Sequence, residues 1–167
     1  LVTWVHTCAL PICLWALSSQ AQVQKVNLQA SGITSAMCSK AIYKAVAALS
    51  FVDTVTVDIE ASTYELRFKK EATPRFDQIA KAVVDAGFSV AKLSADIKFD
   101  KQAVDKNGET ELDCIRYKIV ANAPGILQGT KKMQFVGKPY MLPKDFKKIG
   151  QVNTAGVDAK TYLVMIK

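Results

Sequence analysis

Val26-Asn27-Leu28-Gln29-Ala30-Ser31-Gly32-Ile33-Thr34-Ser35-Ala36-Met37-Cys38 changes its period partway along. Val26, Leu28 and Ala30 alternate with polar residues, the two-residue repeat of a half-buried strand. A loop follows. Beyond Cys38 the period lengthens: Ile42, Ala45, Val46 and Leu49 fall at i, i+3, i+4 and i+7, the apolar stripe of an amphipathic helix. Val55, Val57 and Ile59 then alternate, Ala61-Ser62 reads as a turn, and Tyr64, Leu66 and Phe68 form the answering strand. Thr73-Pro74 looks like an N-cap followed by proline at the first helical position. Phe76, Ile79, Ala80 and Val83 make a second helical stripe, and Gly87 supplies its stop. Phe88, Val90 and Lys92 begin a last strand, with Ala91 and Leu93 on its other face. Residues 23–94 therefore read β-α-β-β-α-β, the ferredoxin-like or split-βαβ order.

The same residues carry a family resemblance. Gly32-Ile33-Thr34-Ser35-Ala36-Met37-Cys38 resembles the G-M-T-C-x-x-C loop of the heavy-metal-associated (HMA) domain. Ser35 stands where that family has its first cysteine and Cys38 where it has its second, while Ile33 replaces a buried methionine. Val55-Thr56-Val57-Asp58 resembles the family's V-x-V-D/N strand, and Ala86-Gly87-Phe88 its closing G-F/Y. The resemblance implies a ferredoxin-like fold and a soft metal, usually Cu(I), held between two thiolates.

One of those thiolates is missing here. Cys38 falls in the first turn of the helix, where unpaired N–H groups and the positive end of the helix dipole favour a thiolate. Ser35 cannot replace sulfur, because its hydroxyl is a hard ligand that stays protonated at neutral pH. It is, however, a preferred N-cap, worth about 1 kcal/mol over alanine. Met37 offers a soft thioether beside Cys38, although a methionine at a loop–helix junction is more often surface or packing. Phe88 is expected near the loop, as shield or as core. Lys40 and Lys44 flank the helix, where a solvated face is the ordinary reading. Three roles stay open for Cys38: residual soft-metal binding with help from Met37, Cys114 or a second molecule; none, in a metal-free module for protein interaction or structure; and thiol-redox or disulfide chemistry.

Residues 1–20 contain no Lys, Arg, Asp or Glu. Val5 to Leu17 is shorter than the roughly 20 apolar residues of a membrane span and fits the apolar core of a secretory signal. Ser19-Gln20-Ala21 would allow cleavage before Gln22, which predicts a signal remnant over 1–21 and a periplasmic or secreted product without a membrane span. Thr7-Cys8-Ala9-Leu10-Pro11-Ile12 resembles a translated sequencing adapter, so residues 1–12 are a candidate assembly artefact. Removing 1–21 takes away the single histidine, His6, and leaves Cys38 and Cys114 as the cysteines. His-dependent acid–base catalysis and a full Cys/His zinc site are then excluded. In an oxidising compartment the two thiols could bridge, if the fold brings them together.

Residues 96–167 match no motif and read as a small, mostly β domain, a barrel or sandwich. Ile97 and Phe99 suggest a strand and Asn107-Gly108 a hairpin turn. Leu112, Cys114, Arg116 and Lys118 alternate with Ile115, Tyr117 and Ile119, which places Cys114 within a strand. Pro124-Gly125 breaks the chain, Lys132 to Val136 is a strand, Gly137-Lys138-Pro139 a bend, Pro143 to Ile149 a short helix, and Thr161 to Ile166 a buried closing strand. The expected class is thus α+β: a ferredoxin-like domain over 23–94 followed by the β-rich one. Net charge is +7, without the dense basic stripe of a nucleic-acid reader. No phosphate loop, Ser/His/Asp set or paired-acid motif is present, so an enzyme is not expected. The leading expectation is an exported binder or carrier of Cu(I), anchored by Cys38 and completed by a metal-transfer partner or a homodimer.

Overall fold

The computed structural model describes residues 22–121, 123–150 and 161–167. The first half folds as its periodicity predicts. Strand β1 (Gln22–Ser31) points Val26, Leu28 and Ala30 into the core, and helix α1 (Ala36–Ala47) buries Ile42 and Val46 against it. Strands β2 (Val52–Asp58) and β3 (Thr63–Phe68) pair antiparallel, with Tyr64 and Leu66 fully buried. Helix α2 (Phe76–Asp85) buries Phe76, Ile79, Ala80 and Val83. Strand β4 (Ser89–Ala103) then pairs with β1, giving the local order β2-β3-β1-β4 of a ferredoxin-like sheet.

Local departures have local causes. Ile59 is 61% exposed and lies past the end of β2, because the Asp58 carboxylate accepts the Ala61 N–H at 3.0 Å and closes the turn one residue early. Helix α2 begins later than Thr73-Pro74 suggested: Arg75 is its N-cap, in extended conformation and without a side-chain capping bond. Pro74 is buried just before the cap, five residues ahead of Ile79, in the N′ and N4 positions of a hydrophobic staple. At the other end Gly87, at φ +90°, donates to Val84 and Phe88 donates to Val83, the paired bonds of a Schellman motif. Strand β4 carries a bulge at Ala91: Gln29 faces Lys92 while Ala30 faces Val90. The extra residue resets the alternation, so Val90 and Leu93 share the buried face and Lys92 turns to the opposite one.

The second half does not form a barrel or sandwich of its own. Strand β4 runs straight through the expected junction at residues 94–96, carrying Ala95, Ile97 and Phe99 on its core face. Its free edge takes β7 (Ile126–Val136), and β8 (Thr161–Ile166), β6 (Ile115–Ile119) and β5 (Glu109–Leu112) follow. Among the described residues the result is one eight-stranded sheet in the order β2-β3-β1-β4-β7-β8-β6-β5, antiparallel except for the β6–β8 pair. Within β8, Val164 is fully buried and its neighbours are half-buried. Asn107-Gly108 does turn the chain, but β4 and β5 do not pair across it. The hairpin is β5–β6, and its two-residue turn is Asp113-Cys114, at φ 48° and 62°. Cys114 is thus an exposed turn residue rather than a strand residue. The short helix α3 (Pro143–Lys148) forms where expected, with proline in its first turn.

Helix α2 ties the halves together. The Phe76 ring lies 4.3 Å from that of Phe135 on β7 and meets Tyr162 on β8 edge-on at 5.3 Å and Tyr117 on β6 at 6.4 Å. The Tyr162 hydroxyl donates to the Asp77 carboxylate at 2.8 Å. Among the described residues no helix is long and apolar enough to cross a membrane. The signal remnant expected over 1–21, with His6, Cys8 and Cys13, lies outside the described residues.

Candidate metal centre

The loop Gly32–Ser35 joins the end of β1 to the start of α1. Gly32 sits at φ +89°, a left-handed turn that side-chain-bearing residues resist, and the Phe88 ring lies against it. Ile33 is half-buried against the core, in keeping with the apolar residue that the family has there. These two anchors bring Ser35 to the N-cap of α1, with φ −153° and ψ 161°.

Ser35 serves both the helix and the thiol. Its Oγ accepts the Cys38 N–H at 3.3 Å, satisfying one of the unpaired donors of the first turn. The same hydroxyl donates to Cys38 Sγ at 3.2 Å, and Thr34 Oγ1 lies 3.9 Å from that sulfur. The Ser35 hydroxyl first, then the Thr34 backbone and hydroxyl, hold the Cys38 thiol below its ordinary pKa, against a small opposing effect of burial. Sequence reasoning found the helix-end stabilisation of a thiolate but missed that Ser35 and Thr34 solvate it directly.

A buried pair holds the next residue. Ser39 Oγ and the Tyr64 hydroxyl are 2.9 Å apart, and the Tyr64 hydroxyl also donates to the Ser39 carbonyl at 3.3 Å. Tyr64 is fully buried, so its hydroxyl needs such a partner. This anchor fixes the turn that presents Cys38. Its trace in the sequence is a polar residue on a buried helix position opposite an inward-pointing tyrosine.

The other candidates are spread out. Met37 is 81% exposed at the second position of α1, with its thioether in solvent beside Cys38. Lys40 and Lys44 are exposed along the helix. Cys38 and Cys114 are both free thiols, so the fold as described contains no Cys38–Cys114 bridge. Among the described residues no group of three or more His, Cys, Asp or Glu side chains is gathered to hold a metal. Among the described residues the soft donors at the loop are Cys38 and its sequence neighbour Met37.

Comparison with known proteins bears on this loop. Residues 27–89 match the model of the heavy-metal-associated domain. No curated protein matches the chain. Among solved structures, apo-CopP from Helicobacter pylori is similar at 31% identity, with 41% of this chain and 100% of that one covered and a TM-score of 0.35. The yeast copper transporter domain CCC2A, solved in apo and Cu(I)-loaded states, is similar at 25% identity over 39% of this chain and 88% of that one, with a TM-score of 0.35. A chain solved in work on crosstalk between Cu(I) and Zn(II) homeostasis is similar at 27% identity over 40% of this chain and 94% of that one, with a TM-score of 0.36. The match over residues 27–89 and the ferredoxin-like order of the elements that carry it agree: through this segment the chain belongs to the heavy-metal-associated family.

Proposed function

We propose that this protein binds or passes a soft metal ion, Cu(I) first among them, with Cys38 as the anchoring thiolate. The observation that carries the reading is the sulfur itself. It stands half-exposed in the first turn of α1 and is favoured as a thiolate by the Ser35 and Thr34 groups around it. A thiolate is the soft ligand that Cu(I) prefers. One such ligand makes a weak site. A second sulfur then comes from a metal-transfer partner or from another copy of this chain, with Met37 placed at the rim. The role is that of a carrier rather than a catalyst. The charge-free, apolar residues 1–20 support export to the periplasm or the medium, which fractionation of the expressing cell would test.

A second reading has its own support. Ser35 caps α1 through its hydroxyl, so the replacement of cysteine by serine strengthens the helix start whether or not a metal is carried. The loop would then serve a metal-free module for protein interaction. An anaerobic Cu(I) titration of the reduced chain against a chelating competitor separates the two. Uptake that disappears in Cys38→Ala, while the fold survives, supports the metal site, and its stoichiometry distinguishes a monomer from a shared site. Ser35→Cys restores the second thiol and is expected to tighten binding by more than about tenfold. No uptake above the Cys38→Ala background would favour the metal-free module.

A further inference from the structure

The sheet has a second face that the metal loop does not use. Helices α1 and α2 cover one side, and the bulge at Ala91 turns Lys92 to the other. There Lys92 pairs with Gln29 across β1, and Ser94 pairs with Gln134 across β7. The segment leading into α3 crosses this face through a bridge between Lys92 and Met141. Between α3 and the sheet lies a cleft of about 370 Å³.

The lining of this cleft is strongly one-sided in charge. Lys92, Lys144, Lys148 and Lys167 surround it, with Asp145 as the single acidic side chain among the described residues. Asp145 pairs with Lys148 at 3.4 Å. Lys92, Lys144 and Lys167 have no acidic partner among the described residues. Lys92 is half-buried, and burial together with Lys167 and Lys132 lowers its pKa, as expected where positive charge gathers without compensation. Gln134 in the wall is 8% exposed, and its Oε1 is buried without a hydrogen-bond partner. That orphan is a cost which a donor brought into the cleft, after a small movement of the side chain, would relieve.

We propose that this cleft binds a small organic anion bearing two or more negative charges and a hydroxyl, held by Lys92, Lys144, Lys148 and Lys167. The volume is that of a small-ligand site. The cations are all lysines, point charges that suit a compact polyanion such as a phosphate ester or hydroxylated polycarboxylate. The site stands on the opposite face of the sheet from α1, and its occupation does not require metal at Cys38.

Isothermal titration calorimetry of the full chain at fixed ionic strength tests it, with citrate and ribose 5-phosphate as probes and acetate as the singly charged control. The parent is expected to bind at least one of the polyanions and not acetate. Lys92→Gln and Lys148→Gln are each expected to weaken that binding about tenfold or more, while Lys40→Gln on α1 leaves it unchanged. Circular dichroism of each variant confirms that the fold persists, and Cys38→Ala keeps the affinity of the parent. Equal binding of acetate, or lining variants indistinguishable from Lys40→Gln, overturns the proposal. Vesicles containing phosphatidic acid separate a lipid headgroup from a soluble ligand. Vesicle binding that citrate and ribose 5-phosphate fail to compete for also overturns it.

Discussion

At the scale of single residues the decisive exchange is serine for cysteine at position 35. The serine hydroxyl has two faces: its oxygen caps the helix, and its proton solvates the Cys38 sulfur. These roles can be separated. Ser35→Ala removes both, so it is expected to cost about 1 kcal/mol of stability and to raise the Cys38 pKa toward the ordinary thiol value. Ser35→Asp keeps an acceptor for the capping bond but offers no proton and adds a negative charge. It is expected to retain the stability while raising the pKa further. The rate of alkylation by iodoacetamide as a function of pH reads the thiolate directly. A depressed folded pKa contributes stability that is complete above the unfolded value and is lost as pH falls through the folded one. Unchanged alkylation profiles in both variants would remove Ser35 from the thiol's environment. The position of Cys38 and the capping power of Ser35 were legible from residue type and spacing alone. The hydroxyl-to-sulfur contacts were not, because they depend on a rotamer that only the folded loop fixes.

At the scale of elements, the periods of two and of about three and a half residues carried most of the first half, and chain breaks carried the helix ends. Gly87 is the sharpest case. Its φ of +90° lets two N–H groups return to Val84 and Val83, and a side chain there meets no neighbour within 4 Å, so a substitution would act through the backbone alone. Gly87→Ala is expected to destabilise the protein by roughly 1–2 kcal/mol, measured by urea unfolding with an unchanged m-value. A neutral Gly87→Ala would mean that the Schellman geometry contributes little to ending α2. What periodicity could not reveal were events that break periodicity. The bulge at Ala91 shifts β4 by one residue, so simple alternation assigns Lys92 and Val90 to one face when they lie on two. The β5–β6 turn is built on Asp113-Cys114, and cysteine at positive φ lacks the usual signature of such a turn. The familiar Asn107-Gly108 pair, by contrast, turns the chain between strands that never pair.

At the scale of the whole molecule the question is whether the metal-binding segment stands alone. The β-α-β-β-α-β pattern places a boundary near residue 95, yet β4 continues through it and lends its far edge to β7. Pairing across a sheet depends on contacts distant in sequence, and no local pattern announces them. Cutting the chain at residue 95 would leave that edge of β4 unpaired and uncover the Phe76 ring, which otherwise packs against Phe135 and Tyr162. An exposed edge and an uncovered aromatic both favour association. The fragment 22–95 is therefore expected to melt below the full chain and to self-associate as concentration rises. Phe76→Ala supplies the internal check. In the full chain it should cost about 3–5 kcal/mol, the range for truncating a buried phenylalanine. In the fragment, where the β7 and β8 partners are absent, the cost should be smaller, and the difference measures the coupling between halves. Two separate thermal transitions in the full chain, the first coinciding with that of the fragment, would show instead that residues 22–95 fold independently and that the continuous sheet adds no cooperativity.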